Sequence, residues 1–214
     1  MSKNMVFILR QGVHIILKST LSIVLLVSLF HNSTVSAQSK SDWVLKKEGD
    51  GVNIYRRYLD SLKVYEYKGE FEVKSSLERI LKFLKDDESN LSCLNRALKF
   101  RAFEIDETQQ SWKTYTLIDI PWPFNDKELV TKNNLYFTPS LALISMTSVD
   151  KIEGNENRIT GVKGEWRIEK STGSDWTISY QVYTSQKGVL PEWFLSPFIV
   201  SQYHEFLKCI SSLM

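Results

Sequence analysis

The stretch PWPFNDKELV, at residues 121–130, decides how the middle of this 214-residue chain folds. Its two prolines flank a tryptophan and fix a rigid, extended corner, because proline locks φ and restricts the residue before it. An alternating segment follows, with one face made of Leu129, Thr131, Asn133, Leu135 and Phe137 and the other of Val130, Lys132, Asn134 and Tyr136. This period of two predicts a β-strand that enters a sheet from a braced corner. On these grounds alone the corner is scaffold.

Upstream of this strand the pattern predicts two strands and three short helices. The strands cover residues 52–58 and 64–73, and the helices cover residues 41–48, 75–85 and 88–95. Trp43 is the apolar anchor of the first helix, which ends at Gly49-Asp50-Gly51. Charged residues alternate along the second strand and predict that one of its faces meets water: Glu66, Lys68, Glu70 and Glu72.

Two groups of polar residues mark helix starts in this upstream part. Ser75 and Glu78 have the spacing of a capping box. The acidic residues at 86–88 precede the third helix, where the helix dipole favours negative charge. They lack the alternating ligands and the glycine of a calcium loop, so we interpret them as helix-terminal residues and not as a metal site.

Downstream the pattern predicts consecutive strands and one long closing helix. The predicted strands cover residues 99–106, 111–120, 127–137, 141–151, 157–170 and 175–184. Short links between them favour an antiparallel meander, and Gly161 and Gly164 predict bulges or sharp bends. After Pro191, five residues fall in one apolar arc of the closing helix, which predicts that this face lies across the sheet: Ile199, Tyr203, Phe206, Ile210 and Leu213.

The first 37 residues have the order of a secretory signal peptide. A basic region ends at Lys18, an uncharged run at residues 21–30 follows, and Val35-Ser36-Ala37 offers small residues before Gln38. We predict cleavage after Ala37 and export to the periplasm or the cell exterior, which leaves residues 38–214 as one domain. An uncleaved membrane anchor is the alternative, although a spanning helix needs about 20 apolar residues.

Removing residues 1–37 changes the charge balance of the chain. They carry three of the 27 basic residues and none of the 25 acidic ones, so the remainder has 24 against 25, a net charge of −1. A near-neutral domain has no electrostatic footprint for nucleic acid, and we expect no nucleic-acid partner.

Few residues of the mature chain have the chemistry for catalysis or metal binding. His204 is its one histidine, and a position on the polar side of the closing helix predicts a solvated side chain. Cys93 and Cys209 have no metal-like or redox-like spacing. An exported chain could join them, but we interpret them as buried free thiols. We expect no catalytic residue, no metal and no cofactor.

Three stretches, in order and correctly spaced, resemble START domains, the lipid-transfer modules with a helix-grip fold. They are Trp43 running into Asp50-Gly51-Val52, the PWP corner with Lys127-Glu128 for the usual Arg-Asp, and GVLPEWF at 188–194 before the last helix. The resemblance covers about residues 43–214. It implies an α+β fold in which a curved antiparallel sheet wraps a long C-terminal helix around a lipid-sized cavity.

The resemblance also implies a function. We expect a non-enzymatic carrier or sensor that binds a lipid, a sterol-like molecule or another small hydrophobic ligand, with transient membrane contact. Thr131 and Asn133 would position the ligand head, and opening would involve the last helix or the link at residues 139–140. Some members carry an arginine inside the cavity where this chain has Asn133, so their buried ion pair is expected to be absent. The candidate ligand-binding residues are Leu129, Thr131, Asn133, Leu135, Ile199, Tyr203 and Phe206.

Two other functions remain open from the sequence. One is an enzyme of the wider helix-grip superfamily, a cyclase or hydrolase, for which Asp119 just before the corner is the candidate acid. The other is a protein-binding module of the cell envelope, whose cavity would be filled solid by Trp and Phe side chains.

Overall fold

The computed structural model describes residues 42–120, 125–149, 157–173, 175–185 and 192–214, without the side chains of residues 192–195. Several predictions concern residues outside these ranges: the signal peptide at 1–37, the corner residues 121–124 and the residues 188–191 ahead of the closing helix. The chain from Ser41 to Met214 forms one compact unit.

Ten strands and three helices make up the described part of the chain. The strands are β1 (Val44–Gly49), β2 (Val52–Leu59), β3 (Val64–Lys74), β4 (Ala97–Asp106), β5 (Ser111–Ile118), β6 (Lys127–Thr138), β7 (Leu141–Ser148), β8 (Arg158–Ile159), β9 (Val162–Lys170) and β10 (Asp175–Thr184). The helices are α1 (Leu77–Phe83), α2 (Asp87–Cys93) and α3 (Glu192–Leu213). Among these described residues, no helix has the length and apolarity needed to cross a membrane.

The strands form one sheet in the order β1-β2-β3-β10-β9-β7-β6-β5-β4. Neighbours along this path are antiparallel, and the two-residue strand β8 runs parallel to β6. The sheet with its closing helix is the α+β, helix-grip fold that the sequence predicts. The predicted downstream meander is present, with its fifth strand divided into β8 and β9 beside Gly161, which has a φ of 69°.

Most of the predicted apolar arc of α3 faces the sheet: Ile210 is fully buried, and Ile199, Tyr203 and Phe206 pack partly buried against the core. The prediction is wrong for Leu213, which is 45% exposed near the end of the helix, and it missed Leu207, which is fully buried. Gly69 on β3 permits this close packing, because a Cβ there would lie 2.0 Å from Leu207 Cδ1. Gly164 on β9 likewise permits close packing, because an added Cβ would lie 2.8 Å from the Gln181 carbonyl oxygen. The strand keeps its register at Gly164, so the bulge predicted there is absent.

The predicted helix at residues 41–48 is wrong, since residues 44–49 form the strand β1. Asp50 and Gly51 both have positive φ (52° and 76°), and Gly49 pairs with Val52 across them. This is a two-residue hairpin turn, for which Asp-Gly is a favoured sequence. Backbone pairing in the hairpin therefore makes this short segment a strand, although its apolar spacing fits a helix.

The predicted wet face of the 64–73 strand is also wrong at one residue, Glu66. Its side chain is buried and pairs with Arg57 at 2.6 Å. The Trp43 ring lies over the Arg57 guanidinium, 4.3 Å from its centre. The Trp43 ring therefore covers one side of the Arg57–Glu66 ion pair.

The helix starts are close to their predicted positions. Ser76, not Ser75, is the N-cap of α1, and its hydroxyl accepts a hydrogen bond from the Arg79 amide at 3.2 Å. Asp86 caps α2 by accepting from the Ser89 amide at 2.8 Å, so its interpretation as a helix-terminal acid is confirmed. Within the described ranges no group of three His, Cys, Asp or Glu residues has metal-binding geometry.

The interpretation of the two cysteines as free thiols is wrong. Cys93 at the end of α2 and Cys209 on α3 form a disulfide, with their Cα atoms 5.3 Å apart. The two residues are 116 positions apart in the sequence, and the tertiary contact of α2 with α3 brings them together. No local pattern reports such a contact.

The prediction of a solvated His204 is wrong as well. The side chain is 2% exposed, and its Nε2 lies 3.0 Å from the Gly49 carbonyl oxygen. The carbonyl can only accept, so Nε2 carries the proton and donates. The β1–β2 hairpin covers this side of α3 and buries the imidazole.

Candidate ligand-binding pocket

A pocket of about 430 Å³ lies between the inner face of the sheet and α3. This volume falls within the range of small-molecule sites, about 300–1,000 Å³. Its lining is mostly apolar and comes from the end of α1, from α2 and its link to β4, from the six strands β4, β5, β6, β7, β9 and β10, and from α3. Its apolar wall includes Leu84, Phe100, Trp112, Ile118, Leu129, Ile144, Met146, Trp166, Val182 and Ile199.

A short row of polar side chains crosses the β5–β6 side of the pocket. The hydroxyls of Thr114 and Thr131 lie 2.6 Å apart on paired positions of the two strands. Asn133 Nδ2 donates to Thr131 Oγ1 at 3.3 Å and to the Trp112 carbonyl oxygen at 3.4 Å. Thr131 and Asn133 are buried, so this row gives an apolar pocket a few fixed polar atoms.

Aromatic rings form the wall opposite this row. Trp166 and Tyr180 stack with ring centres 4.1 Å apart, and Phe206 of α3 meets both rings edge-on. Tyr203 donates its hydroxyl hydrogen to the Tyr180 carbonyl oxygen at 2.6 Å. Burial raises the pKa of both tyrosines well above the ordinary value, so both hydroxyls stay neutral at physiological pH.

An ion pair stands at one end of the pocket. Arg96, on the α2–β4 link, donates from Nη2 to the Asp119 carboxylate at 2.6 Å and from Nε to the Asp119 carbonyl oxygen at 3.0 Å. Both residues line the pocket and both are partly exposed. Phe198 of α3, which is 49% exposed, also lines the pocket, and we take the exposed side chains of Asp119 and Phe198 to mark its mouth.

Trp112 lies at the other end. Its ring is buried, and the Lys85 ammonium sits over it at 4.9 Å. The Trp112 Nε1 atom is buried and has no hydrogen-bond partner among the described residues. Leu84, just past the end of α1, and Asn90 of α2 also line the pocket and are buried like Trp112, so we take this part of the pocket as its deep end.

Six of the seven predicted site residues line this pocket: Leu129, Thr131, Asn133, Ile199, Tyr203 and Phe206. Leu135 is outside its lining and packs against the core instead. The reason is that β5 begins at Ser111, which pairs with Asn134, so Leu135 lies beyond the part of β6 that pairs with β5. A role for these residues in binding a ligand stays a prediction.

Several lining residues were missed from the sequence. Trp112, Thr114, Thr116 and Ile118 alternate along β5 and could have been found by the same period of two that identified β6. Asn90 and Arg96 carry no such signal, because a short helix and a link place them. Asn133 donates to the Trp112 carbonyl oxygen and to the Thr131 hydroxyl inside the pocket.

The arrangement is suited to holding an apolar molecule. Asp119, the candidate acid of an enzyme, is held by the Arg96 guanidinium at the mouth. His204 is outside the lining, and both cysteines form the disulfide.

The sheet order, the closing helix and the pocket between them define the helix-grip fold of START domains. A STAR-related lipid transfer protein from Xanthomonas axonopodis has this fold, with a TM-score of 0.69 and 20% identity over 79% of this chain and 97% of that one. Human StAR-related lipid transfer protein 5 superposes with a TM-score of 0.62 and 12% identity over 91% of this chain and 94% of that one.

Sequence comparison gives one further relative. The uncharacterized protein PA1579 of Pseudomonas aeruginosa is 25% identical over 175 residues, which cover 80% of this chain and 86% of that protein. No protein-family profile matches the chain. The likeness of fold therefore rests on structure, and it makes this chain START-like.

Proposed function

We propose that this protein is an exported START-like carrier or sensor that holds one lipid or other small hydrophobic molecule in the pocket under α3. The observation that carries the proposal is the pocket itself: about 430 Å³, mostly apolar walls and a few fixed polar side chains. Burial of ligand CH2 groups, at about 0.8 kcal/mol each, would drive uptake. The protein would act by binding and release, without chemical turnover.

Two observations support export. The first 37 residues have the order of a signal peptide. The fold contains the Cys93–Cys209 disulfide, and such bonds persist in oxidising compartments such as the periplasm or the cell exterior.

The experiment is expression of the full chain in a Gram-negative host, followed by mass spectrometry of the exported protein, native and after organic extraction. We expect a polypeptide that starts at Gln38, with one intact disulfide and one bound lipid. A protein without lipid that takes up none from a mixed lipid extract would contradict the carrier function. A polypeptide that keeps residues 1–37 would contradict cleavage and favour the membrane anchor.

A matched pair of variants tests whether the ligand occupies this pocket. Thr116 on β5 lines it, whereas Thr147 on β7 is exposed on the other face of the sheet. Thr116→Phe places a ring inside the pocket and is expected to abolish the bound lipid. Thr147→Phe makes the same change outside and is expected to retain it. Equal lipid content in two folded variants would place the ligand elsewhere.

A further inference from the structure

Two buried amide side chains stand at the deep end of the pocket. Asn90 on α2 and Asn133 on β6 both line it, and they are 5% and 4% exposed. Asn133 pairs with Trp112 in the β5–β6 ladder. Asn90 lies in the middle of α2. Both amides are therefore buried parts of the pocket wall.

Hydrogen bonds fix which way each amide points. Asn90 Nδ2 donates to the carbonyl oxygens of Phe83 and Asp86, each at 2.8 Å. Asn133 Nδ2 donates to the Trp112 carbonyl oxygen. A carbonyl oxygen can only accept, so the NH2 group of each amide must face these carbonyls and its own oxygen must point away from them.

The side-chain oxygens of these two amides accept no hydrogen bond from the described residues. Neither Asn90 Oδ1 nor Asn133 Oδ1 has a hydrogen-bond partner within the described part of the chain. Neither belongs to the fully enclosed unpartnered atoms, which are Ser75 Oγ, Trp112 Nε1, Arg158 Nε and His204 Nδ1. Both oxygens thus keep open surface in a pocket-lining side chain. A buried acceptor needs a donor, and the open surface of each oxygen lets a molecule in the pocket supply it.

Charge at the two ends of the pocket differs. Its lining contains two charged side chains, Arg96 and Asp119, and they pair with each other at the mouth. Asp119 lies seven residues after Trp112, on the order of 20 Å along an extended strand. A carboxylate or phosphate at the deep end would lose its hydration, find no cation in the lining and face two amide oxygens.

We propose that the pocket selects amphiphiles whose polar end is a neutral hydrogen-bond donor, an alcohol hydroxyl, and holds that hydroxyl at the Asn90 and Asn133 oxygens. The apolar chain of the ligand runs from there towards Phe198 at the mouth. A head with two hydroxyls satisfies both oxygens. This inference rests on the proposed carrier function and adds the chemical class and the orientation of its ligand.

The test compares three probes of equal chain length: a straight-chain alcohol, its methyl ether and the corresponding carboxylate. Each displaces an apolar fluorescent dye from the purified, delipidated full chain. The methyl ether keeps the oxygen but has no donor, so we expect it to bind about tenfold more weakly than the alcohol. The carboxylate is expected to bind more weakly still. Equal binding of alcohol and ether, or tighter binding of the carboxylate, would overturn the inference.

A matched pair of variants assigns the preference to the amide oxygen. Asn133→Leu removes one of the two acceptors and keeps the size of the side chain, so the preference for alcohol over ether should fall in this variant. Asn134→Leu makes the same change one residue along β6, on the exposed face, and should keep the wild-type preference. An undiminished preference in folded Asn133→Leu protein would contradict the assignment.

Different results would refute the carrier function and the hydroxyl preference. Dye and probes that all fail to bind the wild-type protein would remove the carrier function, and the hydroxyl preference with it. Probes that all bind with equal affinity would leave the carrier function in place and refute the hydroxyl site.

Discussion

Gly69 is where the closing helix comes nearest to the sheet. A Cβ at this position would lie 2.0 Å from Leu207 Cδ1, 3.1 Å from Ile54 Cδ1 and 3.3 Å from Tyr203 Cε1. Leu207 and Ile54 are fully buried and have little room to move. We expect Gly69→Ala to lower the free energy of unfolding by about 1–3 kcal/mol, as measured by urea denaturation, because overpacking forces side chains from their rotamers.

Gly49 provides the control for this prediction. A Cβ there would meet nothing nearer than His204 Nε2 at 3.7 Å, an ordinary contact distance. Gly49→Ala should therefore change stability by less than Gly69→Ala. Combining Gly69→Ala with Leu207→Val should restore part of the loss, and no restoration would place the strain elsewhere.

Asp86 makes the stability of α2 depend on pH. The hydrogen bond from Ser89 holds the pKa of its carboxyl below the ordinary value. The stabilising effect of such a group is complete above the pKa of the unfolded chain, about 3.9, and is lost as the pH falls through the folded-state pKa. At neutral pH we expect Asp86→Ala to cost about 1 kcal/mol.

The measurement is urea denaturation of the wild type and Asp86→Ala at neutral pH and at a series of pH values below 4. The difference between the two proteins should shrink as the pH falls. Asp86→Asn retains a capping oxygen that does not titrate, so its difference from Asp86→Ala should stay constant. A pH-independent gap between wild type and Asp86→Ala would show that the carboxylate is not the cap.

At the scale of secondary-structure elements, a hydrogen bond from His204 links α3 to the β1–β2 hairpin. Its Nε2 donates to the Gly49 carbonyl oxygen at 3.0 Å, and the ring is almost completely buried. His204→Ala leaves a cavity and an unpaired carbonyl, so we expect a loss of about 2–3 kcal/mol in thermal or urea unfolding.

The nearby ion pair of Lys208 with Asp50 is the comparison for His204. It spans 2.8 Å between the same two elements, but both side chains are exposed. An exposed pair contributes little, so Lys208→Ala should change stability much less than His204→Ala. Similar losses in the two variants would mean that the hairpin contact as a whole, and not the imidazole, holds α3.

The errors at this scale have a common origin. The sheet strands from β2 to β10 were predictable because alternation is a local signal, and the apolar arc of α3 was predictable for the same reason. The spacing of residues 41–48 fits a helix, and only the Asp50-Gly51 turn identifies β1 as half of a hairpin. The hairpin covers His204, so a prediction that missed β1 also missed the burial of His204.

At the scale of the whole molecule, the disulfide ties the pocket-lining α2 region to α3. Replacing both cysteines by serine opens a loop of 116 residues in the denatured chain, and loss of a disulfide of this kind costs about 2–5 kcal/mol. We expect Cys93→Ser/Cys209→Ser to lose this amount in urea denaturation. Wild type under a strong reductant should show a similar loss, and an unchanged stability in both would contradict a structural role.

The same variant reports on ligand exchange. Ile199, Tyr203 and Phe206 form one wall of the pocket, and the disulfide pins the following turn of α3. Without that bond the wall moves more freely, so we expect a bound fluorescent lipid to leave the double variant several-fold faster than wild type. Stopped-flow transfer to acceptor vesicles measures the rate, and equal rates would place the opening at the residue 139–140 link.

How much of the pocket the sequence predicts follows from which residues share a strand. Alternation on β6 located Leu129, Thr131 and Asn133 and would have located Thr114 and Thr116 on β5. Asn90 and Arg96 reach the pocket through the packing of a short helix and its link, which no periodicity encodes. Leu135 follows the correct period but lies past the end of β5, because alternation reports a face and not how far the pocket extends along it.

The Cys93–Cys209 bond also orders events during synthesis of the chain. Cys209 follows Thr184, the last residue of β10, so the second thiol leaves the ribosome after all ten strands. The bond can therefore form only after the whole sheet-forming part of the chain has been synthesised. Chains that fail to bring α3 onto α2 keep two free thiols, a chemical mark that distinguishes them from completed molecules.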